Sequence, residues 1–230
     1  MTGAGDPFPK GTASSASPAR FLEPFPRLFP PVSTAHAAVT IVLRAGREEV
    51  EILLIERAAN LRDPASGQVA LPGGHVEEGD GSLADTALRE LEEEVGIPAA
   101  DVLDSLRFVR TEEARHFGLK VGIFAAELRE NSRAPAPRSS VEVAHVFWLP
   151  HSRLAENRPT PQLTSRGEVH VPATWHEGHL LWGFTRRVLR DFFAYPSEDD
   201  PVGLLFTPPP APRGAPPGDR DGEDLSPTGE

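Results

Sequence analysis

Two apolar runs, Ala38 to Leu43 and Val50 to Ile55, are rich in β-branched residues and are separated by a polar stretch around Gly46. They predict two strands joined by a turn. Gln68 to Leu71 predicts a short strand that runs into Pro72-Gly73-Gly74. From Leu83 to Val95 the period lengthens to that of a helix. Ser82 is placed as its N-cap, Gly96 as its stop, and Pro98 helps to end it. Leu106 to Arg110, Leu119 to Leu128 and Val141 to Leu149 again predict strands. Leu180, Leu181, Phe184, Val188 and Phe192 have helical spacing and predict a packed C-terminal helix. Mixed strands with helices on both sides make an α/β sandwich the expected fold class.

The helix from Leu83 to Val95 has two distinct sides. With about 100° of turn per residue, Glu94 lies about 40° to one side of Glu90 and Glu93 about 60° to the other. Ala84, Ala87, Leu88, Leu91 and Val95 fall on a separate arc. Like charges at these spacings cost a few tenths of a kcal/mol per pair unless something neutralises them. Mg²⁺ takes oxygen ligands and sits between carboxylates and substrate phosphates, so an acidic edge behind a glycine loop fits it. An acidic run alone is most often a solvated helix face. Here Gly73, Gly74, Arg89 and Gly96 stand at fixed distances from the carboxylates, which favours a metal edge.

Prolines mark the boundaries of the folded part. Residues 1 to 35 hold Pro7, Pro9, Pro18, Pro24, Pro26, Pro30 and Pro31 among small residues; this extension is expected to be partly disordered, with Phe21, Leu22, Phe25, Leu28 and Phe29 able to pack in an extended form. Residues 36 to 196 form the expected domain, and 208 to 230, Pro-rich and then acidic, an expected disordered tail. The stretch from Arg129 to Ser140 is expected to be a loop. The 230 residues suffice for one domain with a full core. A net charge of -11 argues against nucleic acid or an anionic membrane as a standing partner. With Cys 0, thiol chemistry and disulfides are excluded. No apolar run approaches a membrane span, and the start lacks a charged region followed by an apolar one, so a cytoplasmic protein, monomer or homodimer, is expected.

Positions 89 to 97, Arg-Glu-Leu-Glu-Glu-Glu-Val-Gly-Ile, resemble the second half of the box that defines the Nudix hydrolase family. In the first half, Asp80 stands where that family usually has Glu, and eight residues rather than seven separate it from Arg89. Leu53-Leu54-Ile55-Glu56-Arg57-Ala58, Leu61-Arg62 and Gly67 to Gly74 resemble the signature of the coenzyme A pyrophosphatase-like branch, with one extra residue before Gly67 and Leu71 in place of the usual Phe. Gly118 to Val121 and Leu181 to Thr185 resemble further segments of that branch. The resemblance covers roughly residues 37 to 195 and implies a Nudix-type α/β/α sandwich with a mixed sheet.

It also implies a chemistry. A pyrophosphate is cleaved by water while charge builds on the phosphate oxygens, and Mg²⁺ or Mn²⁺ would supply charge neutralisation. By resemblance Glu90, Glu93, Glu94 and the carbonyl of Gly74 are the metal ligands, and Glu90 can alternatively orient the water. Arg89 is expected to pin the loop or a box carboxylate. The base often comes from outside the box, and Glu112, Glu113 and Glu142 are the candidates. Arg57, Arg62, Arg115 and Lys120 are candidates for binding the small nucleotide substrate. His176-Glu177-Gly178-His179 does not make a zinc motif, because its two His lie at i,i+3 rather than i,i+4; it is expected to be the entry to the last helix. Trp175 and Trp182 are expected to pack. Three functions remain open: hydrolysis of coenzyme A derivatives, hydrolysis of another nucleoside diphosphate compound such as ADP-ribose or NADH, and a binding module without turnover. The intact Arg89-Glu90 and Glu93-Glu94 pairs speak against the last.

Overall fold

A computed structural model describes residues 17–59, 66–114, 118–164 and 167–196. Strands β1 (Ala37–Ala45), β2 (Val50–Arg57), β3 (Val69–Ala70), β4 (Gly73–His75), β5 (Arg107–Ala114), β6 (Leu119–Glu127) and β7 (Val143–Pro150) make one sheet in the order β3-β2-β1-β6-β5, with β4 paired to β1 and β7 to β2. β1 and β6 run parallel and the other pairs antiparallel, so the sheet is mixed. Helix α2 (Leu83–Val95) covers one face, while α3 (Gly183–Phe192) and the short α1 (Ala19–Leu22) cover the other. Strands buried on both faces are apolar at successive positions rather than alternating. Val42 and Leu53 accordingly pack on the α2 side, and Ile41, Leu43, Ile52 and Leu54 on the α3 side.

Helix α2 begins and ends where its capping residues dictate. Ser82 Oγ accepts the amide of Asp85 at 3.3 Å. Gly96 adopts a left-handed conformation, φ 72°, which lets its own amide and that of Ile97 satisfy Glu92 and Leu91 carbonyls. The Pro-rich loop continues this closure: Ala136 and Arg138 donate their amides to the carbonyls of Val95 and Glu94 at 3.1 and 3.0 Å. At the other end Leu83 donates to the carbonyl of Pro30 at 2.9 Å. The carboxylate-bearing helix is thus held at both ends by proline-rich segments.

Three expectations need correction. Residues 19–22 form a helical turn rather than an extended segment, because Phe21 and Leu22 bury against α3, with Phe21 edge-on to Phe193 at 4.8 Å; Leu28 and Phe29 stay exposed. His176 to His179 is not a helix entry. Glu177 and Gly178, with φ 49° and 89°, form the turn of a hairpin between β10 (Ala173–His176) and β11 (His179–Trp182). Leu180 and Leu181 therefore lie on a strand, and α3 starts only at Gly183. A second hairpin, β8 (Thr160–Thr164) with β9 (Gly167–Val171), lacks a strong apolar pattern and is invisible to periodicity. The tail from 208 to 230 and the first 16 residues lie outside the described residues. No helix among the described residues is long and apolar enough to cross a membrane.

Candidate active site

The acidic edge of α2 meets the glycine strand β4. Glu94 is 4% exposed and accepts the amide of Gly73 at 2.8 Å. Burial pushes its carboxyl up to about 8; the Gly73 amide and Arg57 oppose this, while Glu90 and Glu142 add to it. Arg57 and Glu142, 85 residues apart, thus both act on Glu94, because Ala58 donates to the carbonyl of Glu142 at 2.9 Å where β2 meets the start of β7. Glu90 leans on Gly74 so closely that a Cβ there would stand 2.3 Å from its Oε1. At Gly73, φ is 149° and a Cβ would meet the carbonyl oxygen of Ala38 at 2.2 Å. The two glycines are required by close approach of a carboxylate at one and a neighbouring strand at the other.

Arg89 ties the loop to the helix. Its guanidinium donates to the His75 carbonyl at 2.9 Å, to Asp80 at 3.2 and 3.3 Å, to Glu90 at 2.9 Å and to Glu93 at 3.0 Å. Asp80 in turn accepts the amide of Glu77 at 3.0 Å and the hydroxyl of Thr86 at 2.8 Å. Despite its burial, these donors hold its carboxyl below the usual range. The shorter acid does the loop-closing work at this position, with one more residue between it and Arg89.

Glu93 is the outermost carboxylate, its side chain 56% exposed, whereas Glu90 is 13% exposed. Burial raises the Glu90 carboxyl, Arg89 opposes, and Glu93 adds to the rise. Among the described residues no three carboxylate or imidazole groups converge on one point, since Arg89 draws Glu90 and Glu93 towards itself. The donor chemistry nevertheless fits a hard divalent cation. It consists of oxygens only, and two of the three carboxyls are destabilised as anions by burial.

The other candidates are spread out. Glu112 is held by Arg110 at 2.7 Å and by Arg187 from α3, on the face opposite α2. Glu113 and Lys120 are cross-strand partners on β5 and β6, exposed, and separated from β4 by β1. The backbone of Lys120 is bonded at both its groups by His36, whose amide donates to its carbonyl at 2.8 Å and whose side-chain Nδ1 accepts its amide at 2.9 Å. Arg62 and Arg115 lie outside the described residues. Periodicity and motif reading did not single out Arg110 and Arg187, because their shared partner Glu112 joins β5 to a helix 75 residues away.

The family model of the NUDIX domain matches residues 34–169. An uncharacterized Nudix hydrolase NudL from Cronobacter sakazakii is 37% identical over 182 residues, 75% of this chain and 91% of the relative. Its namesake from Yersinia pestis is 36% identical over 163 residues, 69% of this chain and 78% of the relative. Among solved structures, a MutT/nudix family protein from Enterococcus faecalis aligns with TM-score 0.48 and 20% identity over 78% of this chain and 69% of its own. The NUDIX domain of Shewanella oneidensis NrtR, complexed with ADP ribose, aligns with TM-score 0.42 and 20% identity over 60% of this chain and 86% of its own.

Proposed function

The chain belongs to the Nudix hydrolase family, and from that premise we propose that it cleaves coenzyme A or an acyl derivative at the pyrophosphate, giving adenosine 3′,5′-bisphosphate and the 4′-phosphopantetheine half. As a family member it is a pyrophosphohydrolase of nucleoside diphosphate-linked substrates, a class that generally uses divalent metal ions. The observation that carries the finer reading is spatial. Those of the coenzyme A branch segments that lie among the described residues are far apart in sequence, and each packs against the sheet or the carboxylate helix. Gly67 to Gly74 supplies the glycines against Glu90 and Glu94. Phe184, from Leu181 to Thr185, packs on Ala37, Ala114 and Val121, so the segment Gly118 to Val121 lies beneath it.

Glu90, Glu93, Glu94 and the carbonyl of Gly74 would hold Mg²⁺ or Mn²⁺, which when bound neutralises phosphate charge and lowers the pKa of water. The residues of the chain do the rest. Arg89 fixes the loop, and through it the glycines, in one position relative to the helix. Burial leaves Glu94 poorly solvated as an anion, so its ionised form is favoured by a cation rather than by water. Arg57 brings positive charge to the same carboxylate from β2. Glu142 is the base candidate that the β2–β7 junction brings within electrostatic reach of Glu94. In this reading it takes the proton of the attacking water, whose oxygen ends in one of the two phosphate products. Glu112 is committed to two guanidiniums and is not the base.

A panel of coenzyme A, dephospho-coenzyme A, ADP-ribose and NADH, each with Mg²⁺ and with Mn²⁺, tests the proposal. Coenzyme A should have the highest kcat/KM. If ADP-ribose or NADH is cleaved much faster, the substrate assignment is wrong, and the extra residue before Gly67 and the Leu71 position are where the pocket would differ.

A further inference from the structure

On the face of the sheet opposite α2, the strand register lays out a row that starts beside the active-site glycines. His75 on β4 pairs with Ala37 on β1, Ala37 with Val121 on β6, and Val121 with Glu112 on β5. Registered partners share a face. Ala37 and Val121 are buried and apolar, and Phe184 from the first turn of α3 packs over them. Phe184 therefore covers the middle of the row, and what stays open are its two ends, the exposed His75 and the arginines beside Glu112. Three strand spacings of about 4.8 Å put Glu112 roughly 14 Å from β4, on the order of the length of a nucleotide diphosphate.

The far end of the row is built from arginines. Glu112 accepts from Arg110 at 2.7 Å and from Arg187, so two guanidiniums converge on one carboxylate that is itself only 14% exposed. Both guanidiniums remain in contact with solvent, 35% exposed for Arg110 and 38% for Arg187. Arg187 binds Glu112 through one nitrogen and lies 5.5 Å over the ring of Phe184. Arg110 also reaches Asp191 at 3.2 Å, a pair open to solvent at 42% exposure of the acid. Such an exposed pair contributes little and gives way to a stronger anion. Arg110 spends its Nε and Nη2 on Glu112, so it offers a phosphate its charge and Nη1, while Arg187, bound to Glu112 through Nη1, offers the rest of its fork; groups already held in place lose less freedom on binding.

We infer that Arg110 and Arg187, held by Glu112, form the subsite for a phosphate carried on the ribose of the nucleotide, which in the substrate proposed above is the 3′-phosphate. The inference rests on that substrate reading. It makes these two arginines specificity-determining residues rather than simple ties between β5 and α3.

The test compares hydrolysis of coenzyme A and dephospho-coenzyme A by the wild type, Arg110→Met, Arg187→Met and the double variant. The wild type should prefer coenzyme A about tenfold or more in kcat/KM, as charge-assisted bonds to one phosphate would give, and in the double variant the ratio should fall to about one. Inhibition by adenosine 3′,5′-bisphosphate and by AMP gives a second readout that needs no turnover of a variant: the advantage of the bisphosphate should disappear with the arginines. Arg187→Lys, which keeps charge but loses the fork, should fall between, and it serves if the Met variant does not fold. A double variant with lowered Tm but an unchanged substrate ratio would mean that the arginines are structural ties, and the inference would be overturned with the substrate reading intact. A wild type without preference for coenzyme A would overturn both.

Discussion

Helices α2 and α3 pack on opposite faces of one sheet, and both carry several charged residues, but the charges do different work. On α2 they stand along one edge: Arg89, Glu90 and Glu93 reach the surface and Glu94 turns inward to Gly73. On α3 two of three arginines are buried. Arg186 is 3% exposed and donates to Thr174 at 3.0 Å and to the carbonyl of Glu156 at 2.8 Å. Arg190 is 7% exposed and donates to the carbonyls of Leu154 and Pro196. These arginines satisfy irregular backbone that no ladder pairs. The lesson is that charge on a helix indicates chemistry when it is left competing with like charge, and architecture when it ends on carbonyls. Arg187 on α3 is instead partnered by a carboxylate and still open to solvent.

The sharpest way to break this comparison is at Glu94. Glu94→Gln should lower kcat by at least ~10²-fold, about 2.7 kcal/mol of transition-state stabilisation. Its folding stability in the absence of cation should be unchanged or higher, because a carboxyl whose ionisation burial penalises is replaced by an amide that cannot ionise. Steady-state rates together with chemical denaturation check both halves. Turnover like the wild type at saturating metal would remove Glu94 from the metal site. Arg186→Leu should do the reverse. Leaving the Thr174 hydroxyl without its donor, and the Glu156 carbonyl with only that hydroxyl at 3.3 Å, should cost ~2–3 kcal/mol of folding stability, with turnover per folded molecule near that of the wild type. A stable but inactive Arg186→Leu would place α3 in the chemistry instead.

The contrast carries over to how readable each helix is. Ser82, Gly96 and the apolar arc delimit α2 to the residue, and the apolar runs locate β1, β2, β6 and β7. α3 has no such start signal. Its N-cap position is Trp182, without a side-chain cap bond, and the preceding strand happens to continue the helical spacing through Leu180 and Leu181. The hairpins before it are short and half exposed, so neither strict alternation nor a long apolar run marks them. At the site, residues within one helix and its loop were legible because their spacing is fixed by the helix. Asp80 remained ambiguous by motif, and only its hydrogen bonds to Thr86 and Arg89 show what it does. The Glu112 cluster depends on a strand and a helix meeting, which no local pattern encodes.

A pH titration sharpens the comparison further. In the cation-free protein the Glu94 carboxyl, raised to about 8, keeps a proton that the unfolded chain has lost above its ordinary value. The folded state then binds more protons, so stability falls as pH rises through this range, by up to about 1.4 kcal/mol per pH unit for one proton. His151 works the other way: burial lowers its value, so it adds stability as pH rises, but only up to the ordinary value of 6.5. Between pH 6.5 and about 8 the Glu94 effect should dominate, and Glu90 and Glu127, whose carboxyls burial also raises, act in the same direction. Denaturation midpoints in that window should decline for the wild type with chelator present, and Glu94→Gln should flatten the curve. Excess Mg²⁺ should also flatten it, by favouring the ionised form. A wild-type curve that is flat without cation would mean that Glu94 is ionised in the folded state and that its burial costs less than the geometry indicates.

The smallest expected effect lies at the cap of α2. Ser82 Oγ accepts the Asp85 amide at 3.3 Å and donates to the Asp85 carboxylate at 3.0 Å. Ser82→Ala leaves that amide to water and should cost ~1 kcal/mol of stability. Position 82 sits between the loop that Asp80 closes and the helix that bears the carboxylates, so loosening it should be felt first at the loop. Yet Pro30 still accepts the Leu83 amide at 2.9 Å, and Arg89 still joins Asp80 to Glu90. The helix therefore keeps its place, and turnover should change by less than about threefold, a barrier change under ~1 kcal/mol. Thermal unfolding measured beside kcat separates the two. A loss of turnover far larger than the loss of stability would show that the carboxylates depend on the cap directly, and that α2 is not positioned redundantly by its proline-rich neighbours and the Arg89 tie.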